Sequence, residues 1–183
     1  RGPEPSENGR LRLVSRREIS SEDILAADQV LVGVNRTRRR YNERIRELKG
    51  HVGDAPEAGE KLVCLRNNKK KGLLNGGIWT VALKKAPKSD RARMLVSPED
   101  GGKNVSISVP KPFFTGVREA GPFPLRGGAD AFDSGHALTV HKAQGWQWGD
   151  GVLFDESFAF REHRTRWLYT GVTRAAERLT LVR

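Results

Sequence analysis

The sequence of 183 residues contains one cysteine and four histidines, so its covalent and metal chemistry is limited. The single cysteine, Cys64, excludes an internal disulfide, and its place in the apolar run LVCLR is typical of a small core residue. The histidines show neither metal-ligand spacing nor cysteine partners, so we expect no metal site in this chain.

Long apolar runs, a signal peptide and an initiator methionine are also missing. No apolar run approaches the ~20 residues that span a membrane, and the N-terminal segment lacks the pattern of a secretory signal. We therefore expect a cytoplasmic protein without a membrane partner. Because the sequence starts at Arg1, we also expect a piece of a longer protein.

A phosphate-binding loop of the form G-x-x-x-x-G-K-[ST] is absent from the sequence. The lysine of GGKN (101–104) has the wrong neighbours, and no Ser or Thr follows the lysine of GDAPEAGEK (53–61). The apolar run VLFDE ends in Asp155 and Glu156, like a strand that holds a metal beside such a loop. Without the loop, we interpret both carboxylates as the end of an ordinary strand.

Acidic residues are too few to balance the basic ones. The sequence has 33 Lys and Arg against 22 Asp and Glu, a net charge of +11 and a pI near 10.3. This surplus favours a polyanionic partner, most simply nucleic acid. A globular domain that is merely basic is the alternative, and charge alone does not distinguish DNA, RNA and an anionic membrane.

The hydrophobic pattern predicts two α/β segments with a β-rich segment between them. QVLVGVN (29–35) has the pattern of a buried strand, and the following residues place Tyr41, Ile45 and Leu48 on one face of a helix. Short β-like runs and turns fill the middle of the chain. Near the C-terminus the pattern predicts a helix from a Ser134 cap through ALTVHKAQ, the strand GVLF (151–154), a helix over REHRTRWLYTGVTRAA (161–176) and the closing strand RLTLV (178–182).

These patterns divide the chain into three predicted parts. Residues 1–22 are expected to be a linker or a poorly ordered arm. Residues 23–62 and 130–183 form the predicted α/β domain, and residues 63–129 form a β insertion within it.

The segment ALTVHKAQG concentrates four kinds of polar side chain. On the predicted helix, Thr139 and Lys142 share one face, and His141 and Gln144 share another. Hydroxyl, imidazole and ammonium groups suit phosphate oxygens, and Gly145 allows close backbone approach or a sharp turn. A surface helix that ends at a glycine is the alternative.

The segment YTGVTRA sets Arg174 between a threonine and small residues. At a helix end facing a ligand, its guanidinium would stabilise a transferring γ-phosphoryl group. The alternative is a solvated basic face shared with Arg164, Arg166 and Arg178.

The segment NNKKKGLLNGG forms a predicted basic turn with Lys69, Lys70 and Lys71 at its centre. It is either a solvated hairpin tip or a loop that grips a nucleic-acid backbone.

Four segments resemble motifs of superfamily 1 DNA helicases of the RecD-like and Dda-like type, and they occur in the expected order. VLVGVNRTRRRYNERIR resembles motif IV, LVCLRNNKKKGLLNGGIWTV is similar to the segment where an SH3-like subdomain begins, SGHALTVHKAQGWQWGDGVLF resembles motif V, and WLYTGVTRAAERLTLV resembles motif VI. Together they cover most of residues 23–183. The exodeoxyribonuclease V alpha chain and the helicase half of conjugative relaxases share these motifs.

The resemblance implies the α/β fold of a second RecA-like domain (2A), a parallel sheet with flanking helices interrupted by a small SH3-like β-barrel insertion (2B). In such enzymes ATP lies between the first RecA-like domain (1A) and 2A, and single-stranded DNA crosses both. It therefore implies the C-terminal motor domain of an ATP-dependent DNA helicase, of a kind used in DNA repair and recombination.

The resemblance also implies roles for individual residues. Arg174 would be the arginine finger. The residues expected near ATP are Asn35, Arg38, Gln144, Gly145, Tyr169 and Thr173. Those expected to contact DNA are Thr139, His141 and Lys142. The basic turn adds Lys69, Lys70 and Lys71 as candidate DNA contacts, from their charge rather than from the resemblance.

The sequence departs from the family because domain 1A, with its phosphate loop and metal aspartate, is missing. ATP and Mg²⁺ would bind mainly to that N-terminal domain, which is the expected partner alongside single-stranded DNA and a nuclease or relaxase subunit. The chain alone would neither hydrolyse ATP nor unwind duplex, because transition-state stabilisation needs both halves of the site. The alternative is a stand-alone or accessory nucleic-acid-binding module without ATPase activity.

Overall fold

The computed structural model describes residues 10–88, 90–115 and 128–183, which form two compact units. Unit 1 combines the described residues up to Leu48 with Ala137–Arg183, and unit 2 is drawn from Lys49–His136. Part of the predicted arm (1–9) and part of the predicted insertion (89 and 116–127) lie outside the described residues.

The described residues contain ten strands and three α-helices, together with short 3-10 helices, turns and loops. In chain order they are β1 (Leu11–Val14), α1 (Ser21–Ala26), β2 (Gln29–Val32), α2 (Asn35–Leu48), β3 (Lys61–Cys64), β4 (Ile78–Lys88), β5 (Arg91–Pro98), β6 (Val105–Pro110), β7 (Phe132–Ser134), β8 (Ala137–Thr139), β9 (Trp148–Phe154), α3 (Arg164–Val172) and β10 (Ala175–Val182).

Unit 1 is built on a parallel sheet with the strand order β1-β10-β9-β2-β8. The interior strand β2 is buried at all four positions, and its Leu31 pairs with Leu138 on one side and Leu153 on the other. Parallel strands covered on both faces read as continuous apolar runs, which is why QVLV could be recognised from the sequence. The structure thus confirms an α/β fold with a parallel sheet.

Helix α2 packs its apolar stripe against this sheet, as its periodicity predicts. Ile45 is buried, and the ring of Tyr41 lies 4.3 Å from that of Phe154 at the end of β9. Burial raises the pKa of the Tyr41 phenol, so the side chain stays neutral while it packs.

Unit 2 is built on an antiparallel sheet with the strand order β6-β5-β4-β3-β7. Ile107 and Val109 of β6 turn into its core, where they join Met94, Trp79 and Phe132. The apolar alternation in NVSISVP (104–110) is therefore that of a strand with one buried face.

The structure contradicts the helix predicted from Ser134 through Gln144. Ser134 ends β7, Ala137–Thr139 form β8 beside β2, and residues 140–145 follow as turns. A short buried run such as ALTV satisfies both the strand and the helix pattern. Pairing with a strand more than a hundred residues earlier decides between them, and that pairing leaves no local signal.

The N-terminal and C-terminal elements also differ from their predictions. Residues 11–14, expected in the arm, form β1 and pair with β10 at the sheet edge. The helix predicted over 161–176 covers only Arg164–Val172, because Arg161 has a φ of 45° that interrupts the helix before it. Arg183 and Val14 are joined by a backbone hydrogen bond of 3.0 Å beyond the last pair of these strands.

The boundary between the two units lies outside the predicted insertion limits of 63 and 129. Both β3 and β7 pair within the antiparallel sheet, so unit 2 extends from Lys49 to His136. Among the described residues, no helix has the length and apolar character needed to cross a bilayer.

Candidate functional site

Arg174 lies in the short junction between α3 and β10. Its Nε donates to the carbonyl oxygen of Thr170 at 3.1 Å, its Nη1 to the carbonyl oxygen of Trp146 at 3.1 Å, and its Nη2 to Oγ1 of Thr173 at 3.1 Å. The carbonyls at a helix C-terminus lack partners within the helix. Arg174 therefore supplies a donor at the end of α3 and ties this end to the segment before β9.

All three acceptors of Arg174 are neutral oxygens, and no carboxylate pairs with it among the described residues. A guanidinium has five N–H donors, so one remains on each terminal nitrogen. The side chain is half-buried, which limits screening by solvent. The junction therefore carries an uncompensated positive charge with free donors, a combination that suits a phosphate oxygen.

Gly171 sets how closely α3 approaches the sheet. A Cβ at this position would lie 2.8 Å from Cδ2 of Leu153 and 3.2 Å from Cγ2 of Val140. The first distance is shorter than Cβ contacts ordinarily allow, so a larger residue would require Leu153 or α3 to shift. Glycine therefore lets α3 pack closely on the sheet in the turn that immediately precedes Arg174.

The turn after β8 is stabilised by Thr139, whose side chain is buried. Its Oγ1 accepts from the backbone N–H of Lys142 at 3.4 Å, and its carbonyl accepts from Ala143 N at 3.0 Å. Gly145 closes the turn with a φ of 89°, a conformation that disfavours other residues. No atom lies within 4 Å of a Cβ built at this glycine, so backbone conformation explains the residue type.

A cleft of about 270 Å³ lies between this turn and α3. His141 and Gln144 line it from the turn, so the pairing expected three residues apart is present although the helix is not. The other lining residues are Val140, Phe160, His163, Arg166, Trp167 and Thr170.

An aromatic layer forms one part of the cleft. The ring of Phe160 stacks on that of Trp167, with centroids 5.1 Å apart and planes 11° apart. The ring of His141 lies 5.3 Å from that of Phe160, tilted by 49°. Tyr169, which lies on α3 with Trp167, is 70% exposed but does not line this cleft.

Asn35 and Arg38 begin α2. The side-chain oxygen of Asn35 accepts from Nε of Arg38 at 3.3 Å, and Arg38 is only 6% exposed. One turn later, Asn42 donates from Nδ2 to the carbonyl of Ala137 at 2.9 Å and accepts from Ala137 N at 2.9 Å. Asn42 thus attaches α2 to β8 through two hydrogen bonds.

Glu156 anchors the N-terminus of α2. Its buried carboxylate accepts from the backbone N–H groups of Gly33 and Val34 at 2.7 and 3.0 Å, and from Oγ1 of Thr37 at 2.6 Å. A carboxylate at a helix N-terminus satisfies free N–H groups and opposes the helix dipole. Glu156 is therefore a structural anchor placed directly after β9, in agreement with its interpretation as a strand end.

In unit 2, the three lysines of the basic turn differ. Nζ of Lys71 lies 2.6 Å from Oδ2 of Asp130, whose side chain is fully buried and also accepts from Asn68 Nδ2 at 3.0 Å and Ser108 N at 3.0 Å. Lys69 and Lys70 are exposed. The turn is therefore held by Lys71 and presents the other two charges outward.

Four residues that organise these sites were missed by the sequence reasoning. Asn42 lies four residues after Arg38 and therefore on the same face of α2. A polar residue that recurs on the buried face of a helix indicates a buried hydrogen bond, so the sequence carried a signal for Asn42. Asp130, Phe160 and Trp167 gave no such signal, because their partners are distant in sequence or their ring contacts depend on tertiary packing.

Comparison with known proteins gives a class for the C-terminal part. Residues 134–182, about a quarter of the chain, match the family model of the UvrD-like helicase C-terminal domain. This segment includes the turn after β8, the cleft, α3 and Arg174. No curated protein matches the chain.

Solved structures of Pif1 helicases are similar to the chain in fold. Bacteroides Pif1 bound to ssDNA is 13% identical with a TM-score of 0.54, and the match covers 90% of this chain and 46% of that one. Pif1 from Candida albicans is 14% identical with a TM-score of 0.55, covering 84% and 44%. Bacteroides Pif1 in complex with ADP-AlF3 and ssDNA is 13% identical with a TM-score of 0.52, covering 90% and 46%. The chain thus spans less than half of each of these helicases.

Proposed function

We propose that this chain is the second motor domain of an ATP-dependent DNA helicase of the RecD-like, exodeoxyribonuclease V alpha-like type. The observation that carries the proposal is the charge of Arg174, which the α3–β10 junction holds on a parallel α/β sheet. Within residues 10–88, 90–115 and 128–183, no carboxylate balances this charge. The match of residues 134–182 to a helicase C-terminal domain supports it.

In this proposal ATP is the substrate, shared with a phosphate-loop domain outside the chain. When the two domains close, Arg174 turns its remaining N–H donors to the γ-phosphoryl group and stabilises the charge that develops there. Thr173 holds the guanidinium, and Tyr169 belongs to the same motif. Asn35, Arg38, Gln144 and Gly145 complete the proposed nucleotide side.

Mg²⁺ would neutralise phosphate charge during the reaction. Among the described residues, no group of three or more His, Cys, Asp or Glu side chains could hold a metal ion. Mg²⁺ is proposed to bind mainly to the phosphate-loop domain.

Single-stranded DNA is the proposed second ligand. His141 and Lys142 would contact the strand, while Thr139, which is buried, shapes the turn that presents them. Unit 2 is proposed to be an SH3-like 2B insertion, in which Lys69 and Lys70 contact the DNA backbone and Lys71 holds their turn. A nuclease or relaxase subunit remains a proposed partner, and repair or recombination a proposed setting.

The test is ATP turnover in the protein that contains both motor domains. Arg174→Ala should lower kcat by about a thousandfold or more, with nucleotide affinity nearly unchanged, because an arginine finger acts on the transition state. Arg178→Ala is the matched control. Arg178 is another arginine near the start of β10, but its exposed side chain pairs with Asp150.

Normal turnover in the Arg174→Ala protein would refute the arginine-finger role. A protein that binds single strands but shows no ATPase activity even without substitution would favour the alternative of an accessory nucleic-acid-binding module.

A further inference from the structure

Three consecutive residues, Trp146, Gln147 and Trp148, hold the junction that contains Arg174. The carbonyl of Trp146 accepts from Nη1 of Arg174 at 3.1 Å, and the N–H of Trp148 donates to the carbonyl of Arg174 at 2.9 Å. Between them, Nε2 of Gln147 donates to the carbonyl of Thr173 at 3.4 Å. The segment 146–148 therefore holds both the backbone and the side chain of Arg174.

The two ends of this segment are fixed in different ways. Trp148 is 7% exposed and begins β9, where it pairs with Ala175 of β10. Trp146 is half-buried, precedes β9 by two residues and directly follows Gly145. Its N–H donates to the carbonyl of Ala143 at 3.1 Å. Sheet pairing thus fixes Trp148, whereas Trp146 depends on the turn before it and on the contacts of its own ring.

The indole rings connect the two ends of the segment. The rings of Trp146 and Trp148 are nearly parallel, with centroids 6.3 Å apart and planes 17° apart. Alternate side chains of an extended segment point to the same side, and an aromatic pair contributes more than the area that it buries. The stack therefore couples Trp146 to a residue fixed in the sheet, and with it the carbonyl that accepts from Arg174.

A fixed carbonyl matters because an arginine side chain has many rotamers. Ordering such a side chain costs conformational entropy, and this cost slows a reaction when the ordering takes place only in the transition state. Nη1 and Nε of Arg174 are already bound to the carbonyls of Trp146 and Thr170. The guanidinium is therefore ordered before a ligand arrives.

We propose that the stacked pair of Trp146 and Trp148 positions Arg174, and that the stack raises ATP turnover by keeping the guanidinium oriented. The inference rests on the proposed function, in which Arg174 stabilises the γ-phosphoryl group. The two tryptophans are positioning residues, because they act through Arg174 and not on the nucleotide.

The first experiment measures steady-state ATP turnover in the protein that contains both motor domains. Trp146→Ala keeps the carbonyl but removes the stack. It should lower kcat about fivefold with KM nearly unchanged, since an aromatic pair contributes a factor of this order and Arg174 acts on the transition state. Trp146→Phe keeps a ring and should recover most of the lost kcat.

Phe158→Ala is the matched control for the loss of an aromatic side chain, because Phe158 is 72% exposed in unit 1. It should leave kcat unchanged. A normal kcat in the Trp146→Ala protein, an equal loss in the control, or a Trp146→Phe protein as slow as Trp146→Ala would each overturn the inference.

The second experiment separates positioning from general damage by a double-mutant cycle. Trp146→Ala is introduced into the Arg174→Ala protein, and both are compared in single-turnover assays. If the stack acts through Arg174, the double variant should be as slow as Arg174→Ala alone. A further fivefold loss would overturn the inference, because the tryptophan would then act independently of the guanidinium.

A further variant covers the case in which Trp146→Ala does not fold, which far-UV circular dichroism reveals. Trp146→Leu keeps apolar volume without a ring, and the same fivefold loss of kcat is expected. A normal kcat in this variant would overturn the inference.

These outcomes separate the inference from the proposed function. If Arg174→Ala lowers kcat but Trp146→Ala does not, the arginine-finger role stands and only the positioning role is refuted. If Arg174→Ala turns over ATP normally, the arginine-finger role fails, and the positioning role fails with it.

Discussion

Arg174 and Lys71 are both cations that sequence motifs single out, yet their surroundings differ. Lys71 pairs with the fully buried carboxylate of Asp130 at 2.6 Å, whereas Arg174 donates only to neutral oxygens. A charge that is balanced inside the protein holds the chain in place. A charge that is left unbalanced can be balanced by a ligand, and the two kinds cannot be told apart by composition alone.

The largest expected difference between the two cations concerns turnover. In the protein that contains both motor domains, Arg174→Lys should lower kcat by about a hundredfold or more, because an ammonium cannot reproduce the planar fork of donors. Lys71→Arg keeps a charge near Asp130 and should change kcat by less than about threefold. Steady-state ATPase assays on both proteins make the comparison, and a similar loss in each would abolish the distinction.

The next effect is on stability. Asp130→Ala should destabilise unit 2 by about 3 kcal/mol, because it leaves Lys71, Asn68 and the Ser108 N–H without their acceptor. Arg174→Ala should cost only about 1 kcal/mol, since its partners are half-buried and neutral.

Urea unfolding measures both changes, and hydrogen exchange at Ser108 N–H reports the loss at Asp130 locally. Protection of this amide that survives Asp130→Ala would show that the carboxylate does not hold the turn.

A smaller effect should separate the lysines within the basic turn. Lys69→Ala and Lys70→Ala should each weaken single-strand binding and reduce the slope of log K against log salt by about 0.7, the amount expected for one phosphate contact. Lys71→Ala should leave that slope unchanged while lowering stability. Affinities measured across a salt series provide the test, and a reduced slope for Lys71→Ala would mean that its charge also reaches DNA.

The smallest effect is a pH dependence of unit 2. Burial lowers the pKa of His136 below its ordinary value of 6.5, and the charges of Lys49 and Lys61 lower it further. The carboxylate of Glu60 opposes this shift, since its Oε1 lies 3.5 Å from Nε2 of His136. The unfolded chain therefore binds a proton more readily than the folded unit, and stability falls as the pH drops below 6.5. Urea unfolding at pH 7.5 and 5.5 should show this loss, and His136→Gln should reduce it. A pH profile unchanged by the substitution would assign the loss to other groups.

The sequence predicted the elements whose signals are local. Helix α2 repeats apolar residues at helical spacing, and β2 is a compact apolar run, so both could be read without knowing their neighbours. The alternation of β6 likewise reports one buried face.

The sequence could not predict features that depend on distant partners. Strand β8 owes its identity to pairing with β2, and edge strand β1 to pairing with β10. The sequence does not distinguish Lys71 from Lys69 and Lys70, because its partner Asp130 lies 59 residues later in the chain. For the same reason, the cleft at Trp167 leaves no local signal, whereas short motifs single out Arg174 and His141 as candidate site residues.

The missing side chain at Gly171 has a mechanical consequence. Because a Cβ at this position would lie 2.8 Å from Leu153 Cδ2 and 3.2 Å from Val140 Cγ2, the backbone of α3 packs directly on these two side chains. Arg174 follows one end of this helix, and Trp167 and Thr170 face the cleft from its middle. A bulkier residue at position 171 would displace Leu153 or α3, and a displaced α3 would move both Arg174 and the wall of the cleft.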